Sequence, residues 1–362
     1  MKYLPIFISL LVHTCGISQQ FDTSRYRIAV EIPDKTNDFF AHDRFWRGAD
    51  GASSIDLENG KILWLFSDSF IALDSSMSRK NSKFIRNSIA IQEGYDMQTA
   101  VIKFYWNKKH KKKPLAFFHK PGKSWYWTGH GTRIDDKLIL FLMKVRRIKT
   151  GLGFEIFGWS AVLIANPDED PSDWKMQYLD GVDTYGFIAG SAAVIKDDRY
   201  LYAFGAVEPA THEAYVLRWD LNKVHAGNLT SPEWWIKDRW SPRTSKGIVP
   251  EPLFIGGTEY SIHYDTTLRQ FIQIQSFGFG EASLGIRMSD SLTGKWTEPY
   301  LFYTPEYPGV KKPFMYAAKA HPELKGSGLY ITYNVNSFDL GELIDNQAIY
   351  FPAFVEMKIE KK

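Results

Sequence analysis

Five stretches of the chain share one pattern: small or polar residues, a short alternating strand, a tight turn, then an apolar strand rich in aromatics. The first runs from Gly48 to Ile55, turns at Glu58-Asn59-Gly60 and returns from Lys61 to Asp68. The second spans Thr128 to Ile134, turns at Asp135-Asp136 and continues from Lys137 to Met143. The third spans Ala189 to Ile195, turns at Asp197-Asp198 and continues from Tyr200 to Gly205. The fourth pairs Glu259 to Tyr264 with Arg269 to Ile274, and the fifth pairs Tyr316 to His321 with Gly328 to Tyr333. Asp, Asn and Gly fill most of these turns because they tolerate tight hairpin geometry. Gly51, Gly131, Ala192, Ser261 and Ala318 mark equivalent positions, separated by 80, 61, 69 and 57 residues. Each step has room for two more strands, for example Ser160 to Ile164 and Ala214 to Trp219, and no long stretch shows helical periodicity. Four strands repeated five times predict an all-β fold, a five-bladed β-propeller. A β-sandwich or β-helix is the alternative, but neither has reason to place small residues first five times. A propeller does, because its inner strands crowd around an axis.

Composition narrows the class. The 362 residues include 25 Phe, 19 Tyr and 12 Trp, which with 44% hydrophobic residues excludes disorder, collagen-like repeats and coiled coil. The net charge of +3 becomes −2 without Lys108, Lys109, Lys111, Lys112 and Lys113, so the basic excess is one short run. That argues against nucleic acid as a partner, which needs a distributed basic face. Met1 and Lys2 precede an apolar stretch from Leu4 to Val12 and small residues at Gly16 and Ser18. The order reads as a signal peptide over residues 1–18, leaving 19–362 as one exported domain, periplasmic or extracellular. Lipidation at Cys15 is the lesser alternative, because His13 and Thr14 stand where lipoprotein signals carry small residues. Cys15 is the only cysteine, so the mature body has no disulfide, and no later segment is long and apolar enough to be an integral membrane helix.

In a propeller the starts of the inner strands line the mouth of the central channel. They supply Asp50, His130, Ser191, His263, Lys319 and His321. The sharpest pair is Asp50 with Asp68, at the start of one strand and the end of its hairpin partner. Asp68 either caps the turn Ser67-Asp68-Ser69 or points into a pocket. Two neighbouring carboxyls whose pKa values are pushed apart provide the acid and the base or nucleophile of glycoside hydrolysis. Further candidates are Arg86 and Asn87, as groups binding a hydroxyl or orienting a carboxylate, and the acids Glu208, Glu251 and Glu281. Trp46, Trp125, Trp127 and Tyr316 could stack on sugar rings. No phosphate-cradling loop, dinucleotide fingerprint or nucleophile elbow is present, so no cofactor is implied. The histidines leave a divalent-metal site open, but no close His pair or His-Glu motif supports one, and no metal is expected.

The segments from Gly48 to Gly51, from Leu63 to Phe70, and Arg86-Asn87-Ser88 resemble the start of exported bacterial five-bladed propellers. These were first catalogued as domains of unknown function, of the 4185 and 5005 types. The segments Gln273 to Gly280, Met315 to Leu324 and Thr332 to Ser337 look like the same family, so the resemblance spans Trp46 to Phe354. It implies a propeller related to endo-D-arabinanases, with Asp50 and Asp68 matching their paired acids. The Trp-Met-Asn-Asp-Pro and Arg-Asp-Pro signatures of fructan-cleaving propellers are missing.

The reading that follows is a secreted glycoside hydrolase acting on a polysaccharide or oligosaccharide, at arabinofuranosyl or related linkages, through Asp50 and Asp68. Substrate binding is expected from Arg86, Asn87, His130, Glu251, His263, Tyr316, Lys319 and His321. A non-catalytic carbohydrate-binding propeller and a polysaccharide lyase using His130 or His263 remain alternatives. The loops from Asn107 to Lys123 and from Ile236 to Gly247 would set the sugar preference.

Overall fold

The computed structural model describes residues 20–362 apart from 34, 35, 37, 109–112, 210, 244–246, 279 and 308. The stretch 1–18 expected to be a signal peptide, with Cys15, and Lys109, Lys111 and Lys112 of the basic run therefore lie outside the described residues. Among the described residues no helix is long and apolar enough to cross a membrane.

Five antiparallel sheets form the blades of the propeller. Blade one contains Ser53–Glu58, Lys61–Phe66, Ser88–Glu93 and Val101–Tyr105; blade two contains Ser124–Ile134, Lys137–Arg147, Phe154–Ile164 and Met176–Asp180. Blade three contains Ala193–Lys196, Tyr200–Ala206, Glu213–Asp220 and Glu233–Ile236; blade four contains Ser261–Asp265, Gln270–Phe277, Ser283–Ser289 and Tyr300–Tyr303. Blade five takes Pro313–His321, Leu329–Ser337 and Ala353–Lys361 from the end of the chain and Tyr26–Glu31 from its beginning. Each inner strand packs beside the next, and that of blade five meets that of blade one, so the ring is closed.

Sandwiching between blades explains why the strands read as apolar runs rather than strict alternations. In Lys61–Phe66, Ile62, Trp64 and Phe66 pack towards blade five, with Tyr330 and Phe354. Leu63 and Leu65 point the other way, into the interface with Leu138, Leu140 and Leu142 of blade two. Side chains alternate between the two faces of a strand, and here both faces are buried. Equivalent apolar clusters fill the other three blade interfaces.

Two features depart from the sequence pattern. The first hairpin does not stop at Asp50 and Asp68 but continues as a separate three-stranded sheet of Trp46–Ala49, Ser69–Ala72 and Ser82–Ile85. The segment from Ile236 to Gly247 is not simply a loop: Arg239–Pro242 adds a fifth strand to blade three.

Candidate active site

Asp50 and Asp68 meet where the first hairpin leaves blade one. Asp50 N–H donates to Asp68 O at 3.3 Å and Ser67 N–H donates to Asp50 O at 2.8 Å, one step beyond the Ala49–Ser69 pair. Gly48 and Gly51 bracket Asp50 at φ +110° and +94°, a backbone that favours glycine, and a Cβ on Gly48 would lie 2.5 Å from Tyr350 O. Blade five clamps the turn. Asn334, fully buried, accepts from Gly51 N–H at 3.2 Å and donates to Ala49 O at 3.0 Å.

The two carboxyls have different surroundings. Asp50 Oδ2 accepts from the hydroxyls of Tyr316 (2.8 Å) and Tyr350 (3.3 Å), while its Oδ1 is buried without a partner. Burial, then the negative charges of Asp68 and Glu259, hold the Asp50 carboxyl well above its ordinary 3.8, against the two tyrosine bonds. Asp68 accepts from Arg86 on both oxygens, at 3.2 and 3.1 Å, and from Trp127 Nε1 at 2.9 Å. Burial raises it to about 6, and the Arg86 guanidinium and the Trp127 bond oppose that rise. Both carboxyls are thus raised by burial, but only Asp68 has a cation beside it to hold the rise back. The capping alternative for Asp68 does not hold, because the described partners of its carboxylate are side chains.

A third carboxylate belongs to this cluster. Glu259 stands just before the inner strand of blade four, and its charge is felt at both Asp50 and Tyr316. Its Oε1 accepts from Lys319 Nζ at 2.7 Å, and the same ammonium donates to Gly51 O. Glu259 begins the fourth hairpin as Asp50 begins the first, so its position in the repeat is the sequence signal that points to it. Tyr350 carried no such signal, lying in the irregular segment between two strands of blade five.

Of the other expected residues, Arg86, Trp127, Tyr316 and Lys319 are drawn into this cluster by the bonds above. Trp125 is half-buried next to it, with the Arg86 guanidinium 4.3 Å from its ring centroid. Asn87 is not a ligand group: it is fully buried, and its amide bonds the backbone of Phe118 and Tyr126. Nor is Trp46 a sugar platform, being sealed in the core with Nε1 donating to Ser88 Oγ.

The histidines do converge, since His321 feels the charges of both His130 and His263, but two of them brace the hub. His130 Nδ1 accepts from Val194 N–H, so Nε2 carries the proton and donates to Ser54 O. His321 is sealed between Ser54 Oγ and Thr332 Oγ1. Burial lowers His130 and His263 to about 4, so both are neutral; His263 keeps a buried, unpartnered Nδ1. Ser191 is buried as well. Glu251 and Glu281 are exposed and bond to none of these groups. The Glu208 side chain is largely covered, accepting from Thr258 Oγ1, next in the chain to Glu259, and contacting His212 at 3.0 Å. Among the described residues no group of three or more His, Cys, Asp or Glu side chains is arranged to hold a metal ion.

No curated protein matches the chain. Among solved structures, a Bacteroides ovatus protein provisionally assigned as a hydrolase is similar, with a TM-score of 0.74 at 17% identity. That match covers 94% of this chain and 93% of the other. Weaker likenesses are to the GH43_1 enzyme from Xanthomonas citri complexed with xylotriose (TM-score 0.47, 13% identity, 88% of each chain). Another is to the alpha-L-arabinofuranosidase PaAbf62A from Podospora anserina in complex with cellotriose (TM-score 0.45, 12% identity, 88% of this chain and 92% of the other). Residues 34–359 match the family described as Domain of unknown function (DUF5005), and the chain belongs to that family.

Proposed function

We propose that the protein is an exported glycoside hydrolase that cleaves O-glycosyl linkages of a polysaccharide, arabinofuranosyl or related. The observation that carries this reading is the division of labour between Asp50 and Asp68. Tyr316 donates to Oδ2, and Tyr350 shares its one hydroxyl hydrogen between Oδ2 and the Asp68 carbonyl, so the Asp50 proton belongs on Oδ1, where it has no acceptor within the protein. Asp50 is the general acid that protonates the leaving oxygen. Asp68, held by a guanidinium and an indole, is the carboxylate that activates water or attacks the anomeric carbon. Glu259 adds negative charge that keeps the proton on Asp50. The leader-like pattern over residues 1–18 supports action outside the cytoplasm.

The test is release of reducing ends from a panel of arabinans and other polysaccharides. Asp50→Asn and Asp68→Asn should each lower the rate roughly 100-fold or more, the range expected for a lost acid or base. A wild-type protein that binds these polymers but never releases reducing ends would overturn the reading. So would an Asp50→Asn variant of unchanged rate, and an unsaturated, ultraviolet-absorbing product would identify a lyase instead.

A further inference from the structure

Beside Arg86 a cleft opens between the sheet that extends the first hairpin and the rim of blade two. Two adjoining cavities, of 270 and 660 Å³, share Lys123, Ser124 and Arg147 in their walls. The inner end is Arg86, already bonded to Asp68, lying over Trp125. The outer end is Arg146 with Phe157. Lys83 and Lys120 complete a wall with several cations and, among the described residues, no acidic side chain. Arg86 is paired with Asp68 and Arg146 with Glu155 at 2.5 Å. Lys83, Lys123 and Arg147 are exposed and form no ion pair among the described residues. Yet the whole chain is almost balanced, at +3. Unneutralised like charges along a concave wall repel one another, and that cost is relieved when an anion enters. A neutral glycan needs aromatic faces and hydroxyl partners but gives these cations nothing to pair with.

We propose that this cleft binds the part of the polysaccharide next to the cleaved bond, and that this part carries negative charge as carboxylate or sulfate groups. Arg86 joins the two halves of the site, since one guanidinium touches the carboxylate Asp68 and lines the cleft. The inference rests on the hydrolase reading for what happens to the chain, but binding alone tests it.

The experiment is calorimetric titration of the full-length Asp50→Asn protein with oligogalacturonate, sulfated galactan oligosaccharides and neutral galactan oligosaccharides, at low and moderate salt. At least one charged ligand should bind about tenfold or more tightly than the neutral one, with an advantage that shrinks as salt rises. Which one does so separates carboxylate from sulfate. Lys123→Ala with Arg147→Ala should remove that advantage, whereas Lys196→Ala with Lys223→Ala, exposed on the inner strand of blade three and on the connection between its third and fourth strands, should leave it. Equal affinity for charged and neutral ligands, or equal losses in both pairs of variants, would overturn the proposal. Tight charge-dependent binding without hydrolysis by the wild type would sink the hydrolase reading and leave this one standing. Hydrolysis of neutral polymers with no charge preference would do the reverse.

Discussion

Arg86 sets the charge state of the site. It lies 3.1 to 3.2 Å from the Asp68 oxygens, and of the influences that lower the Asp68 pKa its charge is the largest. Burial drives Asp68 upward and the guanidinium restrains it at about 6. If Asp68 is the ionised member of the pair, as proposed above, it should set the acid limb of the rate profile: activity should rise as pH passes about 6 and fall where Asp50 loses its proton. Removing the cation leaves burial unopposed except by Trp127, so the sign is upward. Arg86→Met should move the acid limb of kcat to higher pH by about one unit, within the range for losing a close opposite charge. Activity at neutral pH should fall and partly recover in mild alkali, while Arg86→Lys, which keeps the charge, should move the limb less. A pH–rate profile in which the acid limb of Arg86→Met coincides with that of the wild type would remove Asp68 from its assigned role.

Hairpins were legible in the sequence because each is written locally, as an apolar run, a turn of Asp, Asn or Gly, and another run. The closeness of Asp50 and Asp68 followed from that reading, because both belong to one hairpin. What escaped was whatever depends on partners distant along the chain. Asn87 and Trp46 look like site residues until the backbone of Phe118 and the hydroxyl of Ser88 are seen to occupy them. Tyr350 has no strand pattern around it and is placed by Arg79, a nearly inaccessible guanidinium. Arg79 donates to the carbonyls of Arg47 (2.8 Å), Leu343 (2.9 Å) and Asn346 (2.8 Å), and to that of Ile349. One side chain thus ties the segment before Tyr350 to the sheet that extends the first hairpin. Arg79→Met would leave four carbonyls short of a donor, and loss of stability on the order of 3 kcal/mol is expected in urea unfolding. Activity should also fall under conditions where the variant is still folded, since Tyr350 bonds both Asp50 and the Asp68 carbonyl. Tyr350→Phe separates the two effects: it removes those bonds and should lower activity with little change in the urea midpoint. An Arg79→Met protein as stable as the wild type would show that the segment is held by apolar contacts alone.

At the scale of the whole molecule, the site exists because the ring closes. Asp50 and Asp68 come from the first hairpin, whereas Tyr316, Lys319, Asn334 and Tyr350 come from blade five and its connections, and the bonds between the two groups span 266 to 300 residues. Two kinds of contact hold those ends together. One is the apolar interface where Trp64 and Phe66 meet Tyr330 and Phe354. The other is the strand Tyr26–Glu31, which pairs with Ala353–Lys361 from Tyr26↔Lys361 to Glu31↔Glu356 as the outer strand of blade five. Ile28 and Val30 of that strand pack on the cluster shared with blade four, and Phe21 stacks on Tyr300 at 4.6 Å. Deleting residues 20–31 would therefore strip blade five of a sheet partner, uncover part of the blade four interface and expose the backbone of Ala353–Lys361 as an open edge. A bare edge pairs with other chains. The truncated protein should melt roughly 10 °C lower, a loss of several kcal/mol for a domain this large, and should self-associate in light scattering. Adding a synthetic peptide of residues 20–33 should restore both the melting temperature and the monomer, because the missing strand is then supplied in trans. A truncated protein that stays monomeric and melts within about 2 °C of the full chain would mean that the five apolar interfaces close the ring unaided. In that case blade one and blade five would be held in place, and the acids with them, by side-chain packing alone.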